Sequence, residues 1–343
     1  MKTSIRYGLC LFTLSVGLTN LAVSQTLQFA DLGDFKLEDG EVIRNCRIGY
    51  RTLGTPNADR SNIIVFPTWG LGTTEQLISN VGTGKLVDSS KYYVILADAL
   101  GNGVSSSPSN SKLQSRMSFP KFTIRDMVNT QHELLTRVLH IHHVRAVLGI
   151  SMGGMQTFQW MVSYPDFMDK AVPLMGSPCA SPYDIVSWRA QLRAITSDPD
   201  WHGGNYTNNP ARVAEAEFFA LILTTPDEFN RHHTREQVAA ELDRAKNTTG
   251  FDSNDKIRQL QAMMGLDVPA PFDGSMERAA DVVKARVFVI VATKDRAVVP
   301  QPALYFAHLL HAKTLELDSD CGHISNGCEA RLVNSAVAEF LEQ

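Results

Sequence analysis

The sequence predicts an α/β protein: a mostly parallel central sheet with helices on both faces and a helical insertion. Three observations carry that expectation. Short apolar runs rich in β-branched residues recur, each leads through a turn into a helical pattern, and the strand signal vanishes for about 110 residues between Gly176 and Ala285.

The strand runs are residues 62–67, 92–97, 144–149, 170–175, 286–291 and 313–317. Their near-continuous hydrophobicity implies burial on both faces. Ahead of them, residues 35–53 alternate as an antiparallel hairpin would, with a turn near Asp39 and Gly40. The strandless stretch holds helical patterns at 211–223, 235–246 and 255–264, separated by Asn, Gly and Pro clusters at 203–210 and 268–274. The expected division is a core of residues 25–177 and 286–343 with a helical lid at 178–285.

Composition agrees with a globular enzyme-sized chain. With 343 residues, 44% hydrophobic and 20% charged, it is neither disordered, collagenous nor a coiled coil. A net charge of −4 without any basic run gives no footprint for nucleic acid.

Residues 1–24 read as a signal peptide: Lys2 and Arg6 precede an apolar stretch from Leu9 to Leu21, and Ala22, Val23 and Ser24 form a small-residue cleavage site. Thr13, Ser15, Thr19 and Asn20 interrupt the stretch, which is shorter than the ~20 residues of a membrane span, so stable membrane insertion is not expected. The protein is therefore expected to be exported, into a periplasm or beyond. Cleavage leaves 30 basic against 36 acidic residues, a net charge of −6.

Five cysteines become four when Cys10 leaves with the leader. An even number in an exported chain makes disulfides plausible. Cys321 and Cys328 flank His323 closely and are expected to close a short loop, leaving Cys46 and Cys179 as the candidate second pair. Asn205 and Asn247 begin N-glycosylation sequons, which matter only in a host that glycosylates exported proteins.

Gly149-Ile150-Ser151-Met152-Gly153 matches the nucleophile elbow G-x-S-x-G, in which a sharp strand-to-helix turn presents a serine hydroxyl above a sheet. Its context is right, because an apolar strand runs into it and a helical pattern, residues 155–163, runs out. Serine needs a base, and the base needs a carboxylate to fix its tautomer. The chain order expected with such an elbow is Ser, then acid, then His. Asp295 ends the 286–291 strand region and His323 follows the last strand, so Ser151, Asp295 and His323 form the candidate triad. Asp318 and Asp320 are rival acids, though they sit awkwardly near His323 in sequence.

Acyl transfer to serine also needs oxyanion donors. By position these are the backbone N–H groups of Met152, after the nucleophile, and of Trp69, after the 62–67 strand. His140, His142, His143, His232 and His233 show no metal-ligand spacing, so no metal is expected.

Residues 149–156 (Gly-Ile-Ser-Met-Gly-Gly-Met-Gln), then Trp160, Tyr164-Pro165-Asp166 and Arg193 through Tyr206, resemble the homoserine O-acetyltransferase family of α/β-hydrolase-fold enzymes. The likeness extends through Leu100-Gly101-Asn102-Gly103, Pro120, Asp126 and Gln131 to Asp295 and His323. It implies an α/β-hydrolase fold, a Ser-His-Asp triad, acetyl-CoA as donor and homoserine as acceptor. It also implies a homodimer.

Two residues depart from that pattern. The family's lid arginine, which grips the amino-acid carboxylate, has no counterpart in residues 216–224, although Arg212 lies just before and is the candidate substitute. His323 is followed by Ile324 where the family has Asp. Acetyl-CoA is also cytosolic. The preferred reading is therefore hydrolysis of an ester or related small acyl substrate, water being the acceptor and no cofactor being needed. Acetyl transfer to homoserine or another alcohol is the alternative, and a non-catalytic binding protein the third. Phe218, Phe219 and Leu221 are the candidate apolar lining of the substrate pocket.

Overall fold

The computed structural model describes residues 26–211, 213–245 and 250–343. The expected leader, Arg212 and Asn247 lie outside the described residues. Eight strands form one sheet: β1 (Gln28–Lys36), β2 (Val42–Leu53), β3 (Ile63–Pro67), β4 (Tyr93–Ala97), β5 (Val144–Ile150), β6 (Met168–Leu174), β7 (Arg286–Ala292) and β8 (Lys313–Leu317). Their order is β1-β2-β4-β3-β5-β6-β7-β8. β2 pairs antiparallel with β1 and β4, and every later pairing is parallel.

The hairpin is present, and Gly40 turns it at φ 92°. It begins earlier than its alternation suggests, at Gln28, because register shifts around Gly33 break the apolar-polar pattern of β1. The parallel strands β3 to β7 are buried on both faces as expected, whereas β8, at the sheet edge, is buried only at Leu317. Along β3, Ile63 and Val65 join one hydrophobic core while Ile64 and Phe66 join the other.

Helices cover both faces. The second core takes Leu77 of α1 (Thr74–Leu77), and the first takes Met127 of α2 (Ile124–Glu133) and Phe158 of α3 (Met152–Ser163). Between β6 and β7 the described residues hold α4 (Pro182–Thr196), α5 (Val213–Leu223), α6 (Pro226–His232), α7 (Arg235–Ala245), α8 (Ser253–Met264) and α9 (Met276–Asp281), and no sheet strand. After β7 come α10 (Gln301–Leu309), α11 (Ser325–Cys328) and α12 (Ala330–Glu342). Capping boxes start α2 at Thr123 and Asp126, and α4 at Ser181 and Asp184.

β3 lies between β4 and β5, so the connections leaving β3 and β4 diverge across the sheet. Such a switch point leaves a crevice at the carboxyl ends of its strands. The segments carrying Trp69 and Ser151 leave β3 and β5 there, side by side.

The second disulfide expectation is corrected. Cys46 and Cys179 are free thiols. Cys46 is on β2 and Cys179 follows β6, four strands away, which at ~4.8 Å per strand is far beyond the reach of a disulfide. By contrast, the sulfurs of Cys321 and Cys328 lie 1.98 Å apart.

Candidate active site

Ser151 caps the start of α3 with φ 59° and ψ −123°, a conformation that a non-glycine residue adopts only under constraint. The glycines of the motif make that turn possible by close approach. A Cβ at Gly149 would stand 2.2 Å from the Gly153 carbonyl oxygen, and one at Gly153 would stand 2.7 Å from that of Pro67.

The geometry brings the three candidate triad residues together. The Ser151 hydroxyl donates to His323 Nε2 at 2.8 Å, and His323 Nδ1 donates to Asp295 Oδ2 at 2.7 Å. Asp295 is held in turn, its Oδ1 accepting from the N–H groups of Ala297 (2.8 Å) and Val298 (3.0 Å). Helix α4 braces that loop: Asp184 Oδ1 accepts from Val299 N at 3.1 Å, and Trp188 Nε1 donates to the Ala297 carbonyl at 3.2 Å. Asp318 and Asp320 are placed elsewhere, both ion-paired with Lys294, and Asp320 also with Arg231.

Electrostatics favour a charged imidazole. Burial works against the charge on His323, but Asp295 beside it and Asp184 behind outweigh burial and hold its pKa above the usual value. Burial pushes the Asp184 carboxyl above its ordinary range, and Asp295 adds to that rise.

Met152 opens α3, so its N–H has no acceptor within the helix. Neither that N–H nor the N–H of Trp69 has a hydrogen-bond partner among the described residues. The Trp69 side chain lines the cavity beside Ser151, so its ring is wall and its backbone is free to donate.

A cavity of about 450 Å³ opens over Ser151 and His323. Phe219 lines it, but Phe218 and Leu221 do not, and Leu221 is 61% exposed. The reason is helical phase: Phe219, Ile222 and Leu223 line the cavity from one side of α5, and at about 100° per residue Phe218 and Leu221 lie roughly 100° and 160° round the helix from Phe219. Sequence reading also missed the opposite wall, where Trp188 and Gln191 of α4 face the cavity. Lys256, Gln259, Leu260 and Met263 of α8 do the same. Their spacing of three, one and three residues is a readable helix face, masked by the polarity of its first two members. Lys256 Nζ lies 3.0 Å from Glu215 Oε1 and 4.8 Å from the Phe219 ring centre. Gln259 ties two loops together, accepting from Leu71 N at 2.6 Å and donating to the Leu100 carbonyl at 2.9 Å.

Of the histidines outside the triad, His143 meets the Asp166 carbonyl and the Asp169 carboxylate, and His232 meets Glu228. Among the described residues no three His, Cys, Asp or Glu side chains cluster as a metal site. No described helix is long and apolar enough to cross a membrane.

Comparison with known proteins settles the family. Residues 63–327 match the model of the alpha/beta hydrolase fold family. The chain belongs to that family. A relative of this alpha/beta hydrolase, a probable esterase of Corynebacterium glutamicum, is 37% identical over 78% of the chain and 80% of its own length. A homoserine O-acetyltransferase of Methanosalsum zhilinae is 30% identical, over 94% of the chain and 74% of its own length. The solved structure of the acetyl esterase MekB superposes with a TM-score of 0.86 at 28% identity, covering 93% of the hydrolase and 97% of that chain. The resemblance to homoserine O-acetyltransferases thus stands, and esterases share it. This alpha/beta hydrolase is an esterase-like enzyme.

Proposed function

We propose that the enzyme is an exported esterase that hydrolyses small carboxylic esters, acetyl esters first among them, through an acyl-Ser151 intermediate. The carrying observation is the unbroken hydrogen-bonded line from Ser151 through His323 to Asp295 at the floor of the cavity.

In this reading the Ser151 proton passes to His323 Nε2 as Oγ attacks the ester carbonyl carbon. The carbonyl oxygen becomes an oxyanion and is held by the N–H groups of Trp69 and Met152. Collapse expels the alcohol, which takes the proton from His323 and leaves the acyl group on Ser151. Water enters, gives a proton to His323, attacks the acyl carbon, and the second collapse returns the proton to Ser151. Asp295 keeps the imidazole in the tautomer with Nδ1–H throughout.

Hydrolysis is favoured over transfer to an amino-acid alcohol by what lines the cavity. Its walls are mainly apolar, and among the described residues, apart from His323, its only lining cation is Lys256, whose charge Glu215 already faces. Among the described lining residues none offers a bidentate anchor for a substrate carboxylate. Export is supported by residues 1–24 and by the Cys321 and Cys328 pair, which we read as a disulfide of an oxidising compartment. The segment at 178–285 serves as the lid that shapes the pocket.

Labelling tests this. A fluorescent organophosphonate should label the folded protein on Ser151 and abolish hydrolysis of p-nitrophenyl acetate, and Ser151→Ala should resist labelling. Absence of labelling in folded, unmodified protein contradicts the proposal.

A further inference from the structure

Beneath the nucleophile lies a buried polar chain that the triad does not use. Gln156, one turn after Met152 on α3, is wholly buried. Its Nε2 donates to the carbonyl oxygens of Thr68 (3.0 Å) and Met152 (3.1 Å), and its Oε1 accepts from Gln131 Nε2 at 2.6 Å. Gln131 Oε1 accepts from Trp160 Nε1 at 2.9 Å. Gln131 and Trp160 are buried as well.

The chain has one possible polarity. An indole N–H can only donate, so Gln131 must present its oxygen to Trp160 and its amide hydrogens to Gln156. Gln156 must then present its oxygen to Gln131 and its amide hydrogens to Thr68 and Met152. The opposite setting would place the Gln156 oxygen against two carbonyl oxygens and bring two NH₂ groups face to face.

The acceptor matters because of which peptide it belongs to. Thr68 C=O and Trp69 N–H are the two ends of one planar trans peptide, so fixing the oxygen fixes the direction of the N–H. Among the described residues, Gln156 makes the only hydrogen bond to the Thr68 oxygen. The rest of Thr68 is pinned by its N–H to Ala97 O at 3.1 Å and by Ala99 N to its Oγ1 at 3.0 Å.

We propose that Gln156, oriented through Gln131 by the donor-only Trp160 indole, is a positioning residue that aims the Trp69 N–H at the oxyanion. The proposal rests on the acyl-Ser151 reading and on Trp69 as a donor. Loss of a whole oxyanion donor costs roughly 10²- to 10³-fold in kcat. A donor still present but badly aimed should cost less, roughly tenfold.

The test compares Gln156→Met and Trp160→Phe with the parent, using p-nitrophenyl acetate kinetics, pH profiles, and inhibition by a trifluoromethyl ketone that forms an oxyanion adduct with Ser151. Gln156→Met should lower kcat roughly tenfold, leave KM within about twofold, and weaken the ketone by the same factor as kcat. The acid limb of the pH profile should not move, because His323 and Asp295 are untouched. Trp160→Phe, which removes the indole donor and some ring volume, should give a smaller loss with the same signature. Folding is checked by thermal melting, and if Gln156→Met fails to fold, Trp160→Phe decides. An unchanged kcat, a loss confined to KM, or ketone binding that stays tight while kcat falls overturns the proposal. Full activity in Ser151→Ala would instead overturn the acyl-enzyme reading itself, so the two failures are distinct.

Discussion

His323 Nε2 lies 2.8 Å from Ser151 Oγ although 172 positions separate them in the chain. Parallel strands explain the meeting. Ser151 follows β5, Asp295 follows β7 and His323 follows β8, so all three arrive at the carboxyl edge of one sheet. The long insertion between β6 and β7 leaves that edge, and the chain crosses back to the opposite edge before β7 runs parallel to β6.

Asp295→Asn tests the role of the acid. The amide keeps the shape of the side chain, but it can turn its NH₂ toward His323 Nδ1 and stabilise the wrong tautomer. Activity on p-nitrophenyl acetate should fall by about 10³- to 10⁴-fold with the fold intact. A loss under about tenfold would show that another carboxylate orients His323.

The pH dependence has a definite sign. Hydrolysis needs neutral His323, and its pKa is held above the usual imidazole value of about 6.5 by Asp295 and Asp184. The acid limb of kcat/KM should therefore lie above pH 6.5, and Asp184→Asn should move it downward. Stability runs the other way: the protonated imidazole adds stability that is complete below about pH 6.5 and fades as pH rises through the folded value. An acid limb at or below the usual value, unmoved in Asp184→Asn, contradicts this account.

Gln259→Leu should loosen both loops that Gln259 joins. Leu71 N is left buried without an acceptor, at a cost of about 1–3 kcal/mol, which denaturant unfolding can read. The hydrolysis rate should also fall, since the loop carrying Trp69 loses its tie to α8. A variant as stable and as fast as the parent would remove Gln259 from the account.

Thiol counting separates the cysteines. Burial pushes the Cys46 thiol up to about 12 and the Cys179 thiol up to about 11, so both should resist alkylation in the folded protein at neutral pH. Denatured residues 25–343 should titrate two thiols before reduction and four after. Closing a loop of this length contributes about 2.5 kcal/mol in the chain-entropy picture, so reduction should lower the melting temperature and loosen the segment bearing His323. Four thiols before reduction would contradict the disulfide.

What the sequence revealed follows from how local each signal is. The parallel strands are contiguous apolar runs and stand out. Ser151 is fixed by a five-residue motif with its strand and helix on either side, and chain order then points to Asp295 and His323. The start of β1 was obscured by irregular pairing around Gly33. The cavity wall was obscured for another reason. Lys256 and Gln259 read as solvated helix positions until the fold sets them over Ser151, and nothing local distinguishes Phe218 from Phe219 without the helical phase of α5. Gln156 belongs to a motif that is plain in the sequence, yet its partner Thr68 is 88 positions away, and only the fold joins them.

The fate of the acyl group tests the central claim most directly. Residues 25–343 and their Ser151→Ala variant should be compared for release from p-nitrophenyl acetate and from acetyl-CoA, each with and without homoserine. The account predicts Ser151-dependent release from the aryl ester, indifferent to homoserine, with acetyl-CoA left intact. Release of CoA that requires homoserine would contradict it and assign the cavity to acetyl transfer.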